Sequence, residues 1–336
     1  AHAAGLGALM HIAVLGAGAW GTALAITLSA HHRVSLWARD AAQAERMAST
    51  RRNERYLPVA PLPDSLMISA DIHECVARAE LLFLATPIAG IREAMARLHT
   101  TSAHAPLLWL CKGLEPDSGR LPHQIIADCG GWPAAQGVLS GPSFADEVAQ
   151  GLPTAVTLAS TDAGFARRTA AALNGARLRI YANNDLVGAE VGGAVKNVLA
   201  IAAGLSDGLG YGYNARAALI TRGLAEISRL GVALGGQRET FMGLAGLGDL
   251  ILTCTGDLSR NRRVGLALAQ GLSLADATRR LGHVAEGVGS AAGVERLAQK
   301  LAVDMPIAAA VHNILQDQLT PQQAVAQLLL RDPKEE

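Results

Sequence analysis

The segment His11-Ile12-Ala13-Val14-Leu15-Gly16-Ala17-Gly18-Ala19-Trp20-Gly21 decides the fold. An apolar run of strand length leads directly into GxGxxG, and the residues after it have helical texture, with a helix predicted over Gly21–Ala30. This is the strand–turn–helix setting that a dinucleotide-binding turn requires. Gly16 permits the tight turn, Gly18 lets the backbone approach a pyrophosphate, and Gly21 lets helix and strand pack closely. The helix N-terminus offers unpaired N–H groups and a favourable dipole to an anion.

Outward from this turn, apolar runs of strand length recur at Val34–Ala38, Leu81–Ala85, Leu107–Cys111, Gly137–Ser140, Ala155–Ala159 and Leu178–Tyr181. Several are almost continuously apolar, as parallel strands buried on both faces are. Helical stretches such as Ala41–Ser49 lie between them, so right-handed crossovers and a doubly wound sheet are predicted. Beyond about Asp185 the strand signals fade. Val191, Val195, Val198, Ala202 and Leu205 recur at spacings of four and three, an apolar helical stripe over Ala189–Leu205. Further helices are predicted at Ala215–Leu230, Arg262–Ala269, Ser273–Leu281, Ala291–Leu301, Ala308–Gln316 and Pro321–Leu330, with Pro306 and Pro321 as boundary signals. The expected fold class is α/β: a Rossmann-type doubly wound domain over residues 10–188, then an all-helical domain over residues 189–336.

Composition supports this layout and narrows the function. Of 336 residues half are hydrophobic, enough for substantial cores, and 29 Lys+Arg balance 29 Asp+Glu. Zero formal charge gives no global reason to expect nucleic acid as a partner. Cys75, Cys111, Cys129 and Cys254 are scattered without zinc-ligand spacing, so no metal is expected, and they suit a reducing, cytoplasmic setting. No uninterrupted apolar run reaches the roughly 18 residues of a membrane span, and no integral membrane segment is expected. Ala1–Leu9 lacks the basic start of a secretory signal, and Met10 is the expected natural beginning.

Several motifs carry chemistry. The second strand ends in Arg39-Asp40. An acidic residue there bonds the free ribose 2′-hydroxyl of NAD, whereas arginine pairs with the 2′-phosphate of NADP, so the signal is mixed. NADP(H) is favoured, with NAD(H) still accepted. Lys112 follows the fourth of these strands, in Cys111-Lys112-Gly113-Leu114-Glu115, and Gly141-Pro142-Ser143-Phe144-Ala145 follows the fifth. Both lie at the carboxyl ends of strands, where open α/β sheets bind ligands. Lys196 interrupts a strongly apolar helix, where an unpaired ammonium is costly. Gly192, Lys196 and Ala200 share one face, with Gly193 beside them, and these small neighbours are expected to leave room for a ligand. A glycine-rich loop over Gly243–Gly248 ends in Asp249, with Thr253 one helical turn on. Ser259, Arg260 and Asn261 then open another helix, a hydroxyl, a guanidinium and an amide suited to phosphate.

Taken together, GAGAWGTA (16–23), CKGLE (111–115), GPSFADE (141–147), GGAVKNVLAIAAG (192–204), NARAALITRGLAE (214–226), GLAGLGDLILTCTGDLSRNRRVG (243–265) and AEG (285–287) resemble the bacterial-type NAD(P)-dependent glycerol-3-phosphate dehydrogenases. The resemblance runs from about Met10 to near the C-terminus. It implies interconversion of sn-glycerol 3-phosphate and dihydroxyacetone phosphate, supplying glycerol 3-phosphate for phospholipid synthesis. It implies Lys196 as the acid/base, with Lys112, Gly141, Ser143, Asp249, Thr253, Ser259, Arg260 and Asn261 on the substrate. Trp20, Arg39, Lys112, Ala145, Arg260, Val284 and Glu286 are implied cofactor contacts beside Gly16, Gly18 and Gly21. The implied partner is a small phosphorylated molecule. A homodimer is compatible with the resemblance, although no residue reads out oligomeric state. Two rivals remain at this level: a dehydrogenase for β-hydroxy acids, against which the Ser259–Asn261 cradle argues, and a nucleotide sensor without turnover, which would need no buried lysine.

Overall fold

The computed structural model describes residues 9–282 and 285–330, apart from the Leu329 side chain. Residues 1–8, to which the expected start at Met10 relates, lie outside it, as does Val284. The chain divides into two compact units, one comprising residues up to Lys112 plus Pro122–Leu186, the other Gly113–Leu121 plus the chain from Val187. The linear division at residue 188 therefore misses an excursion. Leu114 and Leu121 belong to the apolar core of the second unit, and the Leu114 N–H donates to Ser290 Oγ at 3.1 Å.

In the first unit the strands are β1 (His11–Leu15), β2 (Arg33–Trp37), β3 (Arg52–Asn53), β4 (Leu57–Pro61), β5 (Met67–Ser69), β6 (Leu81–Leu84), β7 (Leu107–Trp109), β8 (Gln136–Ser140), β9 (Thr154–Ala159) and β10 (Leu178–Asn183). Its helices are α1 (Ala19–Leu28), α2 (Ala41–Thr50), α3 (Ile72–Val76), α4 (Ile91–Leu98), α5 (Pro122–Asp128), α6 (Ala145–Ala149) and α7 (Ala163–Leu173). The main sheet has the order β10-β9-β8-β7-β6-β1-β2-β5. β1 lies between β2 and β6, parallel to both, and every residue from Ile12 to Leu15 is buried. Burial on both faces explains why these strands read as unbroken apolar runs.

The expected sheet needs two amendments. β8 pairs with β9 antiparallel, and β10 follows β9, so this edge is reversed. Helix α6 is the only helix between β8 and β9 and has five residues, a rise of about 7 Å against roughly 17 Å of strand, too short to return the chain for a parallel pairing. β3, β4 and β5 are strands beyond those expected. β4 carries Pro58 and Pro61 and forms a separate two-stranded ladder with β3, while β5 is a three-residue edge. The prolines demote β4 as a strand signal, and β5 is too short to show a period.

In the second unit the described helices are α8 (Leu186–Gly208), α9 (Gly212–Ala233), α10 (Arg238–Phe241), α11 (Asp249–Thr255), α12 (Arg260–Ala269), α13 (Leu274–Leu281), α14 (Glu286–Lys300), α15 (Pro306–Leu315) and α16 (Pro321–Leu329). Pro306 and Pro321 occupy first-turn positions, where a missing N–H costs nothing. α8 is long and apolar enough to cross a membrane by composition, yet its apolar window is 94% buried, and it is the central helix of this core. Glycines bring its neighbours close. A Cβ on Gly204 or Gly265 would overlap the backbone of α12 or α8 respectively, so the two helices meet backbone to backbone. Near this crossing, Arg262 donates to Asp207 at 2.7 Å, and Asp207 also takes Arg216 at 3.0 Å.

Candidate active site

In the first unit the three glycines of the turn stand in different surroundings. Gly16 has φ +130°, a conformation that L side chains rarely adopt, and its Cβ would lie 2.6 Å from the Ala85 carbonyl oxygen. Gly21 sits so close to the Gly16 carbonyl that a Cβ there would overlap it. Gly18 differs: nothing lies within 4 Å of where its Cβ would be. Two residues outside the motif hold the turn. The Ala17 carbonyl accepts from Gln43 Nε2 at 3.1 Å and from buried Asn53 Nδ2 at 3.0 Å, and Asn53 also donates to Thr22 Oγ1. The Trp20 indole N–H and the Thr86 hydroxyl, beyond the end of β6, are buried without hydrogen-bond partners among the described residues. Open space over Gly18, a helix N-terminus and unsatisfied polar groups fit a nicotinamide dinucleotide.

The mixed signal at the β2 tip resolves into two different tasks. Asp40 caps α2, accepting from the Ala42 and Gln43 N–H groups at 3.0 and 3.4 Å. Arg39 is 65% exposed and pairs with Glu93 of α4 at 2.7 Å. Further along the same sheet edge, Lys112 Nζ donates to the Gly141 carbonyl at 2.7 Å and approaches Ser143 Oγ at 3.5 Å. Ser143 in turn donates to Gly141 at 2.9 Å, and Ala145 opens α6. The loops after β7 and β8 thus converge on one lysine.

In the second unit Lys196 is 6% exposed and is held on two sides. Its Nζ donates to Asp249 Oδ1 at 2.5 Å and to Thr253 Oγ1 at 2.8 Å. Thr253 donates to the Asp249 backbone carbonyl one turn back, at 2.6 Å. A buried ammonium costs several kcal/mol unless it is paired and hydrogen-bonded, and this arrangement supplies both conditions. Two of the small residues around Lys196, Gly192 and Ala200, do other work than expected. The space over Gly192 is filled by the Ala245 carbonyl, 2.5 Å from where a Cβ would be, and Ala200 lies in the apolar core. Gly192 thus lets the π-turn Leu244–Gly248 press against α8, and that turn delivers Asp249 to the lysine.

The three residues of the anticipated phosphate cradle separate. Ser259 caps α12, accepting from the Arg262 N–H at 3.2 Å. Asn261 is buried, with its Nδ2 donating to Asn197 Oδ1 at 2.9 Å and its Oδ1 accepting from the Gly287 N–H at 3.0 Å. Arg260 is exposed, and its guanidinium makes no hydrogen bond or ion pair among the described residues. The Asn197–Asn261 bond joins the residue after Lys196 to the residue after Arg260, so α8 and α12 are registered at that point. Asn197 stands in a quoted motif without an assigned role, because a buried amide on an apolar helix reads as an interruption until its partner, 64 residues away, is known. Glu286 opens α14.

Residues 11–166 match the family described as NAD-dependent glycerol-3-phosphate dehydrogenase N-terminus, and residues 185–326 match its C-terminus counterpart. Among curated relatives, glycerol-3-phosphate dehydrogenase (NAD(P)+) of Aromatoleum aromaticum is 61% identical over 328 residues, covering 97% of this chain and 100% of that protein. The enzyme of the same name from Dechloromonas aromatica is also 61% identical, over 327 residues, with 97% and 99% covered. The crystal structure of glycerol-3-phosphate dehydrogenase from Coxiella burnetii superposes with a TM-score of 0.91 at 44% identity, covering 96% of this chain and 99% of that one. With both halves matched in order and relatives covered along their full length, the chain belongs to the NAD-dependent glycerol-3-phosphate dehydrogenase family.

Proposed function

We propose that the protein interconverts sn-glycerol 3-phosphate and dihydroxyacetone phosphate with NADP(H), favoured over NAD(H), and that it supplies glycerol 3-phosphate for phospholipid synthesis. The observation that carries the chemistry is the buried Lys196–Asp249–Thr253 cluster. The nicotinamide, when bound, donates or accepts the hydride at substrate C2. Lys196 Nζ moves the accompanying proton, giving it to the C2 oxygen in reduction and taking it back in oxidation. Asp249 and Thr253 keep Nζ in place while its charge changes, an orienting role typical of partners to an acid/base group. Arg260 meets the substrate phosphate, because its guanidinium fork suits phosphate oxygens and no described residue engages it. Ser259 and Asn261 shape that helix start, with one hydroxyl proton and one amide N–H beyond the bonds described. Lys112, Gly141 and Ser143 keep the substrate-orienting role that the resemblance implies.

Gly16, Gly18, Trp20 and Gly21 cradle the pyrophosphate side of the cofactor in this reading, and Arg39 meets the 2′-phosphate. The four free cysteines support a cytoplasmic setting. The deciding experiment follows cofactor oxidation spectrophotometrically with dihydroxyacetone phosphate and each reduced cofactor. Turnover is expected with both cofactors and faster at low concentration with NADPH. Binding of either cofactor without turnover would overturn the reading.

A further inference from the structure

Arg39 does not stand alone at the end of β2. Its Nη1 donates to Glu93 Oε2 at 2.7 Å, while the other oxygen of the same carboxylate accepts from Arg97 Nη2 and Nε at 3.1 and 3.3 Å. Arg97 also lies over the Trp37 ring, 5.8 Å from its centroid, and the Trp37 indole N–H donates to the Ala70 carbonyl at 2.9 Å. One carboxylate therefore bridges two guanidinium groups, and the assembly is tied to the last residue of β2. The guanidinium neighbours hold the Glu93 carboxyl below its ordinary range, Arg39 first and Arg97 second, so it stays ionised at neutral pH.

We infer that Glu93 is a specificity-determining residue that sets how strongly this enzyme prefers NADPH to NADH. The inference rests on the reading that Arg39 meets the 2′-phosphate. A guanidinium has five donors, and Glu93 takes one from Arg39, so Arg39 remains able to serve phosphate oxygens while held. The carboxylate then opposes the phosphate charge, one hydrogen bond away from the group that attracts it. A free ribose carries no phosphate for this charge to oppose, and its 2′-hydroxyl calls for an acidic acceptor instead. Asp40, the acidic residue that sequence position nominates for this task, is engaged at the N-terminus of α2. Glu93 thus weakens NADPH binding through Arg39 and leaves NADH binding little changed, which suits an enzyme that accepts both. It is a positioning residue, acting on the phosphate through Arg39.

The test measures kcat/KM for NADPH and NADH in wild type, E93Q, R39A and the double variant, at low and at high ionic strength. E93Q keeps the shape and a carbonyl acceptor while removing the charge, and at this exposed position unfolding is not expected, which a thermal melt verifies. The NADPH:NADH ratio should rise about three- to tenfold in E93Q, the size of one charge interaction across water, and the rise should shrink in salt. R39A should lower the ratio, and the double variant should match R39A. An unchanged ratio in E93Q, with R39A still lowering it, overturns the role of Glu93 and leaves the role of Arg39 standing. An unchanged ratio in R39A overturns the phosphate reading itself. A rise from E93Q that persists in the R39A background shows that Glu93 does not act through Arg39, and the inference falls.

Discussion

In the first unit Gly16, Gly18 and Gly21 fall within six residues of one strand end, whereas in the second Lys196 meets Asp249 and Thr253 across 53 and 57 residues of chain. The first cluster is made of backbone: its chemistry is the absence of side chains, and its polar partners are N–H groups. The second is made of side chains that apolar helices would exclude unless they were paired. The two therefore fail differently. Damage to a backbone cradle changes what can approach it, whereas removal of one member of a buried polar cluster leaves its partner charged and desolvated.

The largest expected effect comes from breaking the second cluster. K196A should lower kcat by about 10²–10⁴-fold, the contribution of a positioned acid/base. It should also cost about 3–5 kcal/mol of stability, because Asp249 is left buried without its cation. Adding D249N removes that stranded charge, so the double variant should regain much of the lost melting temperature and stay inactive. Circular dichroism melts beside turnover assays separate the two effects. A kcat within threefold of wild type in K196A would end the proton-transfer assignment.

Glu226 sharpens the comparison, since it is a buried polar group of the second unit outside the proposed chemistry. From α9 it accepts the Ile307 and Ala308 N–H groups at 2.7 and 3.1 Å, closing the first turn of α15. Burial pushes its carboxyl up to about 7. Because the folded value lies above the unfolded one, the protonated form favours the fold. The stabilisation is complete below the ordinary carboxylate range and is lost as pH rises through about 7. A shift of this size corresponds to about 3 kcal/mol. Urea unfolding of wild type and E226Q across pH 5–8 should show that loss in the difference between them, with kcat little changed. Parallel pH profiles for the two proteins would show that Glu226 does not titrate with folding.

The α12 start divides the same way. R260A should reduce kcat/KM for dihydroxyacetone phosphate by about 1.5–3 kcal/mol, or roughly 10–150-fold, through loss of a charge-assisted bond. Stability should hold, since the Arg260 guanidinium bonds to nothing among the described residues. N261A should instead cost about 1–3 kcal/mol of folding free energy by removing the buried bonds to Asn197 Oδ1 and the Gly287 N–H. An equal loss for unphosphorylated dihydroxyacetone in R260A would detach Arg260 from the phosphate.

These contrasts explain what the sequence could disclose. The glycine turn, the buried strands and the α8 stripe are local patterns with a fixed period, and Lys196 announces itself by breaking one. The reversed edge at β9 and β10 depends on how little helix lies between β8 and β9, which no hydrophobic pattern encodes. Gln43 and Asn53 hold the turn from positions in a helix and in a two-residue strand, and Glu93 reaches Arg39 across 54 residues. Gly192 was legible as a small residue beside Lys196, but whether its space admits a ligand or the Ala245 carbonyl is a tertiary fact.

The smallest effects test the backbone cradle itself, through two glycines three residues apart. Gly18 has φ −77° and open space where a Cβ would go, so G18A should fold with a melting temperature close to wild type. The added methyl occupies the approach to the turn, and crowding of this kind typically costs about 1–3 kcal/mol. Here the cost should fall on cofactor binding and not on folding, raising the NADPH Kd by about tenfold or more. In G21A the methyl meets the Gly16 carbonyl and the Ala85 Cβ, so the same 1–3 kcal/mol should appear as lost stability, or roughly 1–2 °C per kcal/mol for a chain of this size. Thermal melts and NADPH fluorescence titrations on both variants distinguish the outcomes. If G18A melts as low as G21A, the space over Gly18 is closed within the fold. If G18A keeps both its melting temperature and its NADPH affinity, the cofactor does not pass over that residue.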